Sequence, residues 1–135
     1  MNVVADNKSV VEFGSVIFVA VKPQDINSVG QGISNQLTAK HTIVSIAAGV
    51  AVAQLQTGFN TNSVIRVMPN TPAQFQCGMS VWMCATGVPE DHKDIVTRVL
   101  EGIGKQYLVQ EEKYIDMATG LSASGPAYIL MVIDA

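Results

Sequence analysis

Val16-Ile17-Phe18-Val19-Ala20-Val21-Lys22-Pro23 is an unbroken apolar run, rich in β-branched residues, that stops at a lysine and a proline. A strand wetted on one side would alternate apolar with polar, so this run predicts a strand covered on both faces. Two more runs of the same kind follow. His41-Thr42-Ile43-Val44-Ser45-Ile46 closes on Ala47-Ala48-Gly49, and Ser63-Val64-Ile65-Arg66-Val67 closes on Met68-Pro69-Asn70-Thr71-Pro72. Between them, Gln24 to Leu37 carries Ile26, Val29, Ile33 and Leu37 at near-helical spacing, weakened by Gly30 and Gly32, and Val50 to Gln56 predicts a shorter helix. Strands alternating with helices at this spacing imply βαβ units: an α/β protein with a mainly parallel sheet and helices on both faces.

The flanking segments extend that pattern. Val3-Val4-Ala5 predicts the tail of a short strand, and Asp6 or Asn7 an N-cap for a helix reaching Phe13. Met79 to Cys84 predicts a fourth strand. Pro89 to Leu100 reads as a helix with Ile95, Val96, Val99 and Leu100 on one face, and Lys105 to Val109 as the last strand. Alternation ceases near Glu111, which divides the chain into a sheet domain, 1–110, and the start of a helical one, 111–135.

The second part contains Met117-Ala118-Thr119-Gly120-Leu121-Ser122-Ala123-Ser124-Gly125-Pro126-Ala127-Tyr128. Pro126 fits the first turn of a helix, and a capped start there would suit an anion such as a carboxylate. A plain Gly/Ser corner between helices is the alternative. Ala127 to Ala135 is apolar nearly all round, so a solvated surface is the wrong place for it.

Composition narrows the partners. The chain has 135 residues, a net charge of -3, 48% hydrophobic and 14% charged residues, which suits a packed core and offers no broad basic face for nucleic acid. Cys77 and Cys84 lack the spacing of a zinc set and read as free buried thiols in a reducing compartment. No apolar run is long enough to span a bilayer, and no basic-then-apolar leader opens the chain, so a soluble, cytoplasmic protein is expected. His41 begins a strand and His92 lies on a charged helix face, which makes neither a persuasive general acid. In parallel sheets ligands gather at the carboxyl ends of strands. Three turns fall at that edge here: Val21-Lys22-Pro23, Ala47-Ala48-Gly49 and Met68-Pro69-Asn70-Thr71-Pro72.

Ala20-Val21-Lys22-Pro23, Ala47-Ala48-Gly49-Val50, Ile65 to Pro72 and Gly120-Leu121-Ser122-Ala123-Ser124-Gly125-Pro126-Ala127-Tyr128 together resemble pyrroline-5-carboxylate reductase, in order along nearly the whole chain. The resemblance implies a Rossmann-type domain followed by an all-helical dimerisation domain, hence a homo-oligomer. It also implies NADPH- or NADH-dependent reduction of the cyclic imine 1-pyrroline-5-carboxylate to proline. By that resemblance Asn7, Ala20, Val21, Lys22, Ala48 and Asn70 line the cofactor, and Glu112, Ser124 and Gly125 the substrate. No residue of this chain is assigned as catalytic, and no metal is implied. The family's Gly-rich phosphate loop does not precede Asn7, and most of the helical domain does not follow Tyr128. The chain is therefore expected to be a partial reductase, inactive alone. A non-catalytic piece that associates with full-length subunits, and a different Rossmann oxidoreductase, are the competing expectations.

Overall fold

The computed structural model describes residues 3–134. Five strands, β1 (Val16–Val19), β2 (Thr42–Ser45), β3 (Val64–Met68), β4 (Gly78–Cys84) and β5 (Gly104–Leu108), make one sheet in chain order. β1, β2 and β3 are mutually parallel, which obliges the chain to cross back over the sheet between them. Helices α2 (Ile26–Ile33) and α3 (Val52–Phe59) make those crossings. β4 turns back antiparallel to β3 after a 3-10 stretch at Thr71–Phe75, and α4 (Glu90–Glu101) then carries the chain to β5, parallel to β4. The mainly parallel α/β sheet is thus as expected, with one reversal at β4.

Side chains alternate across the sheet and sort the core into two layers. Ile17, Val19, Ile43 and Val64 meet Ile26, Ile33, Leu55 and Phe59 of α2 and α3, together with Val11 of α1 (Asn7–Phe13). On the opposite face Val44, Ile65, Val67 and Trp82 meet Val96 and Leu100 of α4. Asp6, not Asn7, caps α1: its Oδ1 accepts the Ser9 backbone N–H at 2.8 Å. Helices α2 and α3 cross with the Gly30 backbone against that of Gly58, where a Cβ on Gly30 would lie 2.8 Å from the Gly58 carbonyl carbon.

Several expectations are corrected. Val3-Val4-Ala5 forms no strand, because no neighbouring strand pairs with it, and Val3 is left exposed. The first strand ends at Val19 and is not covered on both faces. It lies at the sheet edge, and Phe18 on the α4 side is 40% exposed, because the α4-side core is built from β2, β3 and β4. The buried face of α4 is His92, Val96 and Leu100, spaced four apart, while Val99 points outward; His92 therefore faces the sheet and not the charged side. Cys77 is exposed, not buried.

The C-terminal arm also differs. Helix α5 (Lys113–Ala118) runs through a π turn at Thr119–Ala123 into α6 (Gly125–Ile133) without a break. The π turn is closed by the Ser124 N–H donating to the Thr119 carbonyl at 3.1 Å, while the Thr119 and Ser122 hydroxyls donate back to the Ile115 and Ala118 carbonyls. Ser124 has helical dihedrals and makes no cap, so the expected capped start is absent. Helix α6 is exposed from Ala127 to Ile133, contrary to the expectation from its apolarity, and Ala135 at its expected end lies outside the described residues.

Candidate functional site

Because β1, β2 and β3 share a direction, the chain leaves all three at one edge of the sheet. Register places Val19, Ser45 and Arg66 in one row across them. Beyond that row Ala20, Val21, Lys22 and Pro23 face Ile46, Ala47 and Ala48 across a cleft of about 540 Å3. Lys22 and Ala48 are exposed there. The 3-10 turn after Pro23 is fixed by the Asp25 N–H donating to the Lys22 carbonyl at 2.9 Å. Gly49 turns with φ +73, a left-handed conformation open to glycine at no steric cost, and leads the chain into α3.

Glu112, immediately before α5, reaches this edge from the helical arm. Its Oε1 accepts two hydrogen bonds, one from the Val52 N–H at the first turn of α3 (2.8 Å) and one from Arg66 Nη1 (2.7 Å). Arg66 Nη2 donates to Asp116 Oδ1, one turn further along α5, at 2.8 Å. The Arg66 side chain is only 4% exposed, against 31% for Glu112 and 65% for Asp116. A guanidinium so deeply placed requires such partners, since an uncompensated buried charge costs about 3–5 kcal/mol. Ile115, between the two acids, is fully buried against Val81 and Val109 and nails α5 to the sheet.

Asn70 makes the second tie to the arm. Its Oδ1 accepts the Met79 N–H at 2.8 Å, which fixes the amide, and its Nδ2 donates to the Ser122 carbonyl at 3.3 Å. Ser124 and Gly125, both half-buried, follow two and three residues later. The structure thus brings together Ala20, Val21, Lys22 and Ala48 at one end of a continuous edge, and Asn70, Ser124 and Gly125 at the other, with Glu112 against the start of α3. Asn7 opens α1 on the surface, and among the described residues its side chain has no hydrogen-bond partner.

Two polar groupings went unread in the sequence. Arg66 was legible as a lone charge inside an apolar strand, a pattern that demands a buried partner, and Glu112 and Asp116 stand four apart as partners on one helix face would. The other grouping lies near the opposite end of the sheet, where the Thr42 hydroxyl is 2.6 Å from Ser63 Oγ and 2.7 Å from His92 Nδ1. It ties α4 to the beginnings of β2 and β3. His41 is likewise structural: its Nδ1 accepts the Thr38 N–H at 2.9 Å and its Nε2 donates to the Val11 carbonyl at 3.2 Å.

Residues 1–49 match the family described as NADP oxidoreductase, coenzyme F420-dependent. Over all 135 residues the chain is 38% identical to the pyrroline-5-carboxylate reductase of Arabidopsis thaliana, covering 49% of that protein. The solved pyrroline-5-carboxylate reductase of Coxiella burnetii superposes with a TM-score of 0.90 at 28% identity, over 97% of this chain and 49% of that one. The Plasmodium falciparum pyrroline carboxylate reductase, solved with NADP bound, gives 0.89 at 27% identity, over 97% of this chain and 50% of that one. The chain spans about half the length of the curated relatives it matches. In sequence along its whole length, and in fold, the chain is therefore similar to about half of a pyrroline-5-carboxylate reductase.

Proposed function

We propose that this chain supplies the sheet edge and the first substrate-side helices of an NADPH- or NADH-dependent reductase that converts 1-pyrroline-5-carboxylate to L-proline. The observation that carries the reading is the convergence of three strand-end turns and the Ser122-to-Gly125 segment on one edge, joined by Asn70 and by Glu112. The residues there suit a dinucleotide. Ala47, Ala48 and Gly49 offer a low surface for a flat group, a Cβ on Gly49 would meet nothing within 4 Å, and Lys22 provides an exposed cation.

In this reading Ala20, Val21, Lys22 and Ala48 run along the cofactor, Asn7 contacts its adenosine end, and Asn70 shapes the nicotinamide end. The cofactor would supply a hydride for the carbon of the C=N bond. Ser124 and Gly125 hold the substrate, and Glu112, whose Oε2 has no hydrogen-bond partner among the described residues, has an oxygen available to accept a hydrogen bond from the ring N–H, the proton on that nitrogen being taken up from solvent. Residues 1–110 would form the dinucleotide domain and 111–135 the start of a helical dimerisation domain in a homo-oligomer. Free thiols at Cys77 and Cys84 suit a cytoplasmic location. No helix among the described residues is long and apolar enough to cross a membrane.

The test is a chimera in which this chain replaces the 135 matching residues of the Arabidopsis thaliana relative. Oxidation of NADPH or NADH that saturates with the cyclic imine is expected. A folded chimera that binds the dinucleotide but leaves the imine untouched would overturn the assignment.

A further inference from the structure

We propose that Arg66 is a positioning residue of this site, acting on the substrate side through Glu112. The inference rests on the function proposed above. Arg66 is anchored in the middle of the sheet, paired in register with Ser45 on one side and Met83 on the other, so its guanidinium has little freedom. It is shared between two acids one helical turn apart, which fixes both the position of α5 and its rotation about its own axis. Glu112 in turn uses a single oxygen, Oε1, for Arg66 and for the first turn of α3. Both anchoring bonds fall on that atom, and Oε2 is left for a ligand. An acid held by one oxygen and offered by the other is a preorganised group, and preorganisation is lost when its support is removed even if the acid stays.

Lysine at position 66 keeps the charge but cannot form two divergent N–H bonds in a fixed plane. It should therefore release the orientation of Glu112 while leaving the pair's net charge intact. In the chimera, Arg66→Lys is expected to raise KM for the imine about tenfold, with dinucleotide affinity changed less than about twofold. The second arm combines Arg66→Lys with Glu112→Gln. If Arg66 works through Glu112, adding Arg66→Lys to Glu112→Gln changes the imine KM by less than about twofold, because contacting residues are not additive. Equal losses for imine and dinucleotide, or the full tenfold effect in both backgrounds, would show Arg66 to be a fold residue only.

A third measurement separates this inference from the reductase reading. Hydrogen exchange on the 135-residue chain itself should show faster exchange of the amides from Tyr114 to Ser124 in Asp116→Asn and Arg66→Lys, with α2 unchanged. Loss of protection there supports the clamp even if the chimera has no imine activity. Unchanged protection overturns it even if the chimera is active.

Discussion

Cys84 illustrates how a single side chain's environment sets its chemistry. It lies on β4 toward α4, and burial pushes its thiol up to about 11, only partly offset by the charge of Lys93. The folded state favours the protonated thiol. That contribution is complete below the ordinary value of 9.0 and is lost as pH rises through about 11, so alkaline conditions destabilise the fold through this residue. The thiolate is the nucleophile, and at pH 8 it would be about one part in a thousand at Cys84. Iodoacetamide at that pH should label exposed Cys77 and spare Cys84, and urea should abolish the difference. Equal labelling of both in the folded chain would contradict the burial argument. Neither thiol is set apart by spacing or by a charged neighbour in the sequence; only the 3-10 stretch before β4 puts Cys77 outside.

Packing of α2 on α3 depends on the two glycines at their crossing. A methyl group on Gly30 would press into the Gly58 carbonyl, whereas one on Gly32, a half-turn away, would meet nothing within 4 Å. Gly30→Ala should therefore cost about 1–3 kcal/mol through overpacking. Gly32→Ala should gain about 0.5–1 kcal/mol by removing glycine's excess freedom from a helix. Urea unfolding of both variants checks the pair, and a Gly30→Ala protein as stable as the parent would mean the helices do not touch there. In the sequence both glycines merely weaken a helix. Periodicity located α2, α3, α4 and all five strands to within a few residues, because burial writes its period into each element. It failed where burial comes from elsewhere in the chain. Val3-Val4-Ala5 has the composition of a strand but no strand beside it, and β1 is apolar throughout although one side stays partly wet. The candidate edge was legible because three turns of small residues and prolines end three parallel strands. The Arg66 tie was not, since it joins residues 46 and 50 positions apart.

Across the molecule, α2, α3 and α4 bury an apolar face against the sheet, and α6 does not. Tyr128, Ile129, Leu130, Met131, Val132 and Ile133 are each between 59% and 77% exposed. Burying one such side chain fully is worth about 1.5–3 kcal/mol. Covering even half of them would release an amount comparable with the low end of a domain's net stability, about 5 kcal/mol. A contiguous apolar helix of this kind drives association unless a partner covers it. At micromolar concentration the 135-residue chain should sediment as a species heavier than its 14.4 kDa monomer. Ile129→Lys with Val132→Lys should return it toward the monomer while the far-ultraviolet dichroism of the sheet region persists, because neither residue belongs to the buried core. A parent chain that sediments as a monomer would show instead that α6 folds back onto the sheet in solution. The apolar groove beside it, between Tyr107 on β5 and Met117 and Leu121 on the arm, is the surface on which it would then lie, and protection of Tyr107 from solvent would reveal it.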